Sequence, residues 1–513
     1  MRAIALRRVG FLMLGLLAGC GGTAIETGVR TSSDFAPNET GAQPESLVIN
    51  DENVFPKFKS SVKYYVTHCP EGEISFKAEG SFRESQSYTY LDGYIKAALK
   101  PGESLDIAGN EVKCIPDDMP LPQATEGFDM GGAVLLSTTL DTNSNAVFEG
   151  LNPYLMLLDK HGAPVWWRSG VSAEAHAEFF EDETGVSLMS YTEDGESKAV
   201  FSHLPGSGYV VERVLERGGV KTLQEIKRYS PTGVPLDFHD AVLSKDGLIG
   251  MYYKIDTEPR DTGLTRTPDT LTIGLGAKDV CSSKSYKRAK LAVGALVFIS
   301  KESVKVVEIN HDGLPSITGA LWHTPTGEAK DCVIDVDHLN AVDVHEDFHV
   351  VTMRHRDTVA AVDSDGEVLW SVGGQDGPVA LQILGDPLGR PIKPHDGRLV
   401  GDVLTMFDNH SGKSEARVVS YKIDLKERTA TLIYEGRAVC KDGGCSAFAM
   451  GSARKNGEVY VAAMGTSSDV SLSVLDSKSG KQRGSLWFEG YWSYRAVFQS
   501  DSLTDVVRSL TSK

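Results

Sequence analysis

An apolar strand, an aspartate-bearing turn and a second strand often closed by tryptophan recur along this chain, and this repeat constrains the fold more than any other feature. The unit runs Leu155 to Asp159 then Gly162 to Trp167, and Val359 to Asp363 then Gly366 to Trp370. It returns at Val418 to Asp424 then Thr429 to Tyr434, and at Leu472 to Asp476 then Gly480 to Trp487. Less regular hairpins lie near Tyr209 to Ile226 and Ala295 to Ile309, which makes about six units. Hairpins spaced by roughly 50 to 60 residues predict an all-β chain whose main body is a six-bladed β-propeller, one unit per blade; a solenoid is the alternative. Aspartate and glycine fit the tight turn, and the tryptophans are expected in the blade cores.

Four segments precede or make up that body. Residues 1–19 carry Arg2, Arg7 and Arg8 and an apolar run from Val9 to Leu17, too short to span a bilayer as a mature helix. Leu17-Ala18-Gly19-Cys20 follows, which looks like a bacterial lipoprotein signal with Cys20 as the lipidated N-terminus. Residues 20–50 are polar and read as a flexible tether. Residues 51–118 hold short alternating runs, as in a small N-terminal β-sandwich, and residues 119–513 form the propeller. The expected location is therefore exported and lipid-anchored, at the outer membrane, with Gly21 rather than aspartate after the cysteine.

The formal charge of −18 excludes nucleic acid as a partner held by charge attraction. Removing residues 1–19 takes away three arginines and no acid, so anchoring rests on acyl chains and not on a basic patch. No P-loop or Rossmann fingerprint occurs, and no nucleotide or other cofactor is expected.

Besides Cys20 there are six cysteines, an even number that suits three disulfides in an oxidising compartment. Cys440 and Cys445 flank a turn-rich loop, Cys69 and Cys114 bracket one small β region, and Cys281 with Cys332 is the remaining pair. Structural zinc competes with this reading, but no C-x2-C knuckle is present and no metal is expected.

A second periodicity bears on chemistry. His176, His239, His338 and His395 each stand at the head of a strand in successive units, with a polar insert of about residues 255–290 in the longest step. Equivalent positions of different blades converge on a propeller's central channel, so histidines distant in sequence are expected to share one small space.

These histidines lie in segments that resemble a known family. Asp337-His338-Leu339-Asn340-Ala341-Val342-Asp343, Val351-Thr352-Met353-Arg354-His355-Arg356-Asp357 and Val368-Leu369-Trp370-Ser371-Val372-Gly373-Gly374 are similar to the signature of the arylsulfotransferases. His395-Asp396-Gly397-Arg398, followed by Leu404-Thr405-Met406-Phe407-Asp408-Asn409, resembles that family's second histidine motif. Ala449-Met450-Gly451-Ser452-Ala453 and Tyr494-Arg495-Ala496 resemble its last blades, and Val112-Lys113-Cys114-Ile115-Pro116 the end of its N-terminal β domain. Lys393-Pro394 before His395, and Leu339 between His338 and Asn340, depart from the pattern.

The resemblance implies sulfuryl transfer from an aryl sulfate donor to a phenolic acceptor without the nucleotide sulfate donor. It makes His395 the nucleophile, His239, His338 and Arg354 the catalytic groups around it, and Asn340 a substrate-binding residue. Asp408 and Asn409 would then orient His395. A neutral imidazole is a good nucleophile near pH 7, and its sulfated form passes the group onward, which predicts ping-pong kinetics. Three other readings compete: hydrolysis of sulfate esters with water as acceptor, a noncatalytic binding propeller at the cell surface, and a histidine-rich metal site. The last would put a cation beside Arg354.

Overall fold

The computed structural model describes residues 46–49, 51–56, 64–81, 86–141, 154–169, 189–194, 197–204, 208–217, 220–234, 236–237, 239–244, 247–262, 287–317, 321–323, 333–374, 377–411, 415–441 and 443–499. The leader, Cys20, His176, Cys281, Cys332 and most of the polar insert lie outside these residues. Among the described residues no helix is long and apolar enough to cross a membrane.

The aspartate turns explain the repeat. Asp159 Oδ1 accepts the amides of His161 and Ala163, and Asp363 Oδ1 those of Asp365 and Glu367. Asp424 and Asp476 cap their turns in the same way. A carboxylate that satisfies two turn amides fixes the hairpin, and the flanking apolar residues then fall on one buried blade. Trp166, Trp167 and Trp370 are buried in blade cores as expected, while Trp487 is half-buried.

Six sheets of antiparallel strands result, and the fold is a six-bladed β-propeller preceded by a small β-sandwich. Blade 1 orders Tyr491–Phe498, Val134–Leu140, Tyr154–Leu158 and Pro164–Ser169. Blade 2 is Met189–Asp194, Ser197–Leu204, Gly208–Arg217 and Val220–Tyr229. Blade 3 begins Ala241–Ser244, Gly247–Ile255, Arg288–Ile299 and Val304–Glu308, with short strands added on Arg288–Ile299. Blade 4 is Leu339–Val344, His349–Met353, Thr358–Val362 and Val368–Gly373. Blade 5 is Pro394–Val400, Val403–Asp408, Arg417–Asp424 and Thr429–Gly436, with Gln382–Leu384 added outside. Blade 6 is Ser452–Asn456, Val459–Ala463, Leu472–Asp476 and Gln482–Trp487, with Gln123–Ala124 on its outer edge.

The first strand of each blade packs on that of the next. Met189–Asp194 meets Ala241–Ser244, which meets Leu339–Val344; then come Pro394–Val400, Ser452–Asn456 and Tyr491–Phe498. These inner strands line the middle of the propeller.

The sandwich has two four-stranded sheets around Ile49, Val54, Tyr65, Phe76, Ile95, Ile107 and Val112. Its first strand is Ser46–Ile49, paired with Glu73–Ser81, so the domain starts inside the stretch assigned to the tether. Strand alternation gives Tyr64–His68 and Asn110–Ile115 a second apolar face. Tyr64, Val66 and Ile115 join the core of blade 1, and Lys113 Nζ donates to Val165 O at 2.9 Å. Two of the three expected disulfides, Cys69–Cys114 and Cys440–Cys445, are formed, with Cα–Cα distances of 5.7 and 5.0 Å. Disulfides suit an exported chain.

Candidate active site

His239 lies two residues before the inner strand of blade 3, His338 immediately before that of blade 4, and His395 is the second residue of the inner strand of blade 5. All three are buried, at similar but not identical positions along their strands. The His239 and His338 rings meet edge to face at 5.0 Å. Arg354 follows the second strand of blade 4 in a tight turn, Arg354–Arg356, and its charge reaches His395.

The backbone here is irregular in a consistent way. Pairing slips between Leu339 and Ala341 in blade 4, and between His395 and Arg398 in blade 5. Such bulges re-aim side chains beside functional sites. His338, Lys393, Asp396 and Met450 all hold positive φ, between 48° and 62°. Clustered left-handed residues of this kind mark places where surrounding structure imposes the geometry.

His395 is held in one tautomer. Its Nδ1 faces two oxygens, Asn409 Oδ1 at 2.6 Å and Lys393 O at 3.1 Å, so Nδ1 carries the proton. Asn409 cannot present its nitrogen instead, because Nδ2 donates to Ala447 O at 3.2 Å and Met450 O at 3.0 Å. Nε2 is left with its lone pair, which accepts the Met450 amide at 3.2 Å. Burial pushes the imidazole well below its ordinary pKa, and the Arg354 and Arg495 guanidiniums push it further. His395 is therefore neutral at neutral pH, with Nε2 as its unprotonated nitrogen.

The other two histidines are aimed by acids that precede them. Asp237 Oδ1 accepts from His239 Nδ1 at 2.8 Å, and Asp335 Oδ2 from His338 Nδ1 at 2.6 Å. Burial works against the Asp237 carboxylate, but the His239 contact outweighs it and holds the carboxyl below its ordinary range. In each case the carboxylate fixes the proton on Nδ1 and with it the orientation of the ring. The Asp-x-His and Asp-x-x-His spacings are visible in the sequence, and they were the available signal for these two aspartates.

Asn340, expected to bind substrate, is placed where it braces the backbone around His395. It occupies the blade 4 bulge, donates from Nδ2 to Pro394 O at 2.9 Å and accepts the Asp396 amide at 3.4 Å. Its amide thus bonds the backbone on either side of His395 and helps to position that ring. Asp408 also supports from a distance, accepting the amides of Ile392 and His410 and the Arg417 Nε. Burial pushes its carboxyl up to about 6. Of the expected orienting pair, only Asn409 touches the ring.

Several contributors escaped the sequence reading. Arg495, on the inner strand of blade 1, donates to Gly451 O at 2.7 Å and to Asn340 O. Asp396, next to His395, is buried against Arg398, Arg454 and Arg495, the last at 3.8 Å. Arg398 also pairs with Asp240, tying blade 5 to blade 3. Phe448 is half exposed, with the Arg354 guanidinium 5.2 Å from its ring.

Asp335, His338 and His355 have residue types that suit a metal, and their ligating atoms lie within 4.8 Å of one another. Both ring nitrogens of His355 are engaged, however, Nδ1 with Asp335 O at 3.0 Å and Nε2 with Arg354 Nη1 at 3.0 Å. A cation there would displace these bonds and face a guanidinium, so the donor set fits a hydrogen-bonded cluster better than a metal centre.

No protein-family model and no curated protein matches the chain. Among solved structures it is similar to the periplasmic gluconolactonase PpgL of Pseudomonas aeruginosa, at 12% identity and a TM-score of 0.35, covering 72% of this chain and 99% of that one. TolB from Acinetobacter baumannii matches at 12% identity and a TM-score of 0.31, over 72% of this chain and 66% of TolB. AztD from Citrobacter koseri matches at 12% identity and a TM-score of 0.29, over 72% of this chain and 98% of AztD. Similarities at this level carry no argument about what the chain does.

Proposed function

We propose that the chain is a sulfuryl transferase of the arylsulfotransferase kind, working through a covalent intermediate on His395. The observation that carries this reading is the tautomer lock: a buried, neutral imidazole with its proton committed to Asn409 and its Nε2 lone pair on the backbone amide of Met450.

In the first half-reaction Nε2 attacks the sulfur of an aryl sulfate and the bond from sulfur to the aryl oxygen breaks. The leaving oxygen takes a proton from His338 or His239, whose carboxylate partners stabilise the imidazolium before it gives the proton up. In the second half a phenolic acceptor returns a proton to that imidazole, and its oxygen takes the sulfuryl group from Nε2. Arg354 and the Met450 amide supply donors to the sulfuryl oxygens; the amide must leave Nε2 for attack to occur. Phe448 gives the aryl ring an apolar neighbour at the rim.

Incubation with a chromogenic aryl sulfate and a phenol, followed by intact-mass analysis, tests this. Wild-type protein should gain one sulfuryl group and His395→Asn should gain none, with donor turnover lost. A sulfated His395→Asn protein would falsify the assignment. Donor consumption that ignores the added phenol would make the enzyme a sulfate ester hydrolase. The same reading places the protein at the outer membrane through acyl chains on Cys20, and lipid labelling that survives Cys20→Ser would overturn that anchor.

A further inference from the structure

Two of the acceptors that the Arg354 guanidinium meets are neutral. Nη1 meets His355 Nε2 at 3.0 Å, and Nη2 meets Phe448 O at 3.3 Å. His355 is only 1% exposed, and its Nδ1 proton is committed to the carbonyl of Asp335 at 3.0 Å. Its Nε2 therefore presents a lone pair to Arg354. A carboxylate at this place would also orient the guanidinium but would cancel much of its charge. A neutral imidazole aims the group without itself cancelling that charge.

His355 also sits in register with the site. Its ring lies 4.7 Å from that of His338, and Asp335 holds both rings with different atoms, carboxylate to His338 and carbonyl to His355. The turn Arg354–Arg356 that carries it ends at Asp357, in left-handed conformation at φ 53°. Asp357 in turn accepts the amide of Lys393 at 3.0 Å, two residues before His395.

We propose that His355 is a positioning residue that holds the Arg354 guanidinium against the sulfuryl oxygens at His395, with Asp335 keeping that guanidinium in register with His338. This rests on the sulfuryl-transfer reading for its consequence but not for its geometry. The competing account is that the ring merely fills space in the core of the turn.

Two polar variants separate these accounts. His355→Asn keeps a donor for Asp335 O and lacks the reach to accept from Arg354; His355→Gln keeps an acceptor near the Nε2 position. Transfer from a chromogenic aryl sulfate should fall about 10- to 100-fold in the asparagine protein and largely recover in the glutamine protein. Their thermal midpoints should lie within a few degrees of each other. Combining His355→Asn with Arg354→Ala should be no worse than Arg354→Ala alone, because one residue acts through the other. Additive losses, or a glutamine protein no better than the asparagine one, would overturn the proposal.

A crystal structure of the His355→Asn protein provides a readout free of activity. The guanidinium should leave its place beside Phe448 O, and an unmoved Arg354 would end the proposal even if transfer were confirmed. If instead wild-type protein turns over no aryl sulfate while Arg354 moves as expected, the positioning role stands and the function reading fails. Should the asparagine protein not fold, His355→Leu takes its place, with the same expectation for kinetics and for Arg354.

Discussion

At the scale of single residues, the protonation of His395 decides what can be measured. Burial, with Arg354 and Arg495 beyond it, holds His395 well below its ordinary value of 6.5. The neutral form thus persists as pH falls through 6.5, and the acid limb of kcat/KM for an aryl sulfate should lie clearly below that pH. A limb centred at 6.5 or above would mean that the reacting imidazole is another one. Removing Asn409 takes away the bond that favours the protonated ring and fixes the tautomer, so Asn409→Ala should slow transfer about 10- to 100-fold without moving the limb upward. His395 and Asn409 were legible in the sequence because they sit at fixed offsets in one hairpin. Asn340 was singled out as well, but its contacts were not legible, nor was the part of His355, because what an amide or imidazole touches depends on a bulge and a tight turn that composition does not announce.

At the scale of elements, the inner strands carry the site, and two of them are bulged beside it. Four of the outer hairpins were visible because they repeat the same turn capped by an aspartate side chain. The inner strands differ from blade to blade, and their order emerges only from contacts between residues far apart in sequence. What joins them is charge: Asp396 of blade 5 meets Arg454 of blade 6 and Arg495 of blade 1, while Arg398 reaches Asp240 of blade 3. Burial works against the Asp396 carboxylate, and the surrounding guanidiniums still hold it below its ordinary range. Taking one partner from a buried cluster leaves the others uncompensated, so Asp396→Ala should cost about 3 to 5 kcal/mol in chemical denaturation. Gly397 belongs to the same stretch, since a Cβ there would come within 2.7 Å of Thr352 Oγ1. An unchanged denaturation midpoint for Asp396→Ala would mean that the blades are held by apolar packing alone.

At the scale of the whole molecule, four histidines share one behaviour. Burial pushes His349, His355, His395 and His410 below their ordinary value of 6.5. Below pH 6.5 the unfolded chain therefore binds more protons than the folded one, and stability rises with pH across that range. The unfolding midpoint should drop as pH is lowered from 6.5 toward 5. Asp408, with its carboxyl raised to about 6, works in the opposite direction and softens the fall without reversing it. A midpoint that stays level across that range would show that these rings are not neutral in the folded protein. The sandwich and the propeller were both legible as separate stretches of hairpins, but not the way the propeller shuts. Tyr491–Phe498 lies beside Val134–Leu140, and Gln123–Ala124 borders Gln482–Trp487, so early and late segments interlock in two blades. Arg495 rides on that late strand and reaches across to Asn340. The candidate site is thus completed late: synthesis must pass Phe498 before blade 1 can gain its inner strand and the Arg495 guanidinium can arrive. A chain interrupted before Phe498 would lack both that strand and that cation, so the cluster around His395 depends on residues made some hundred positions after it.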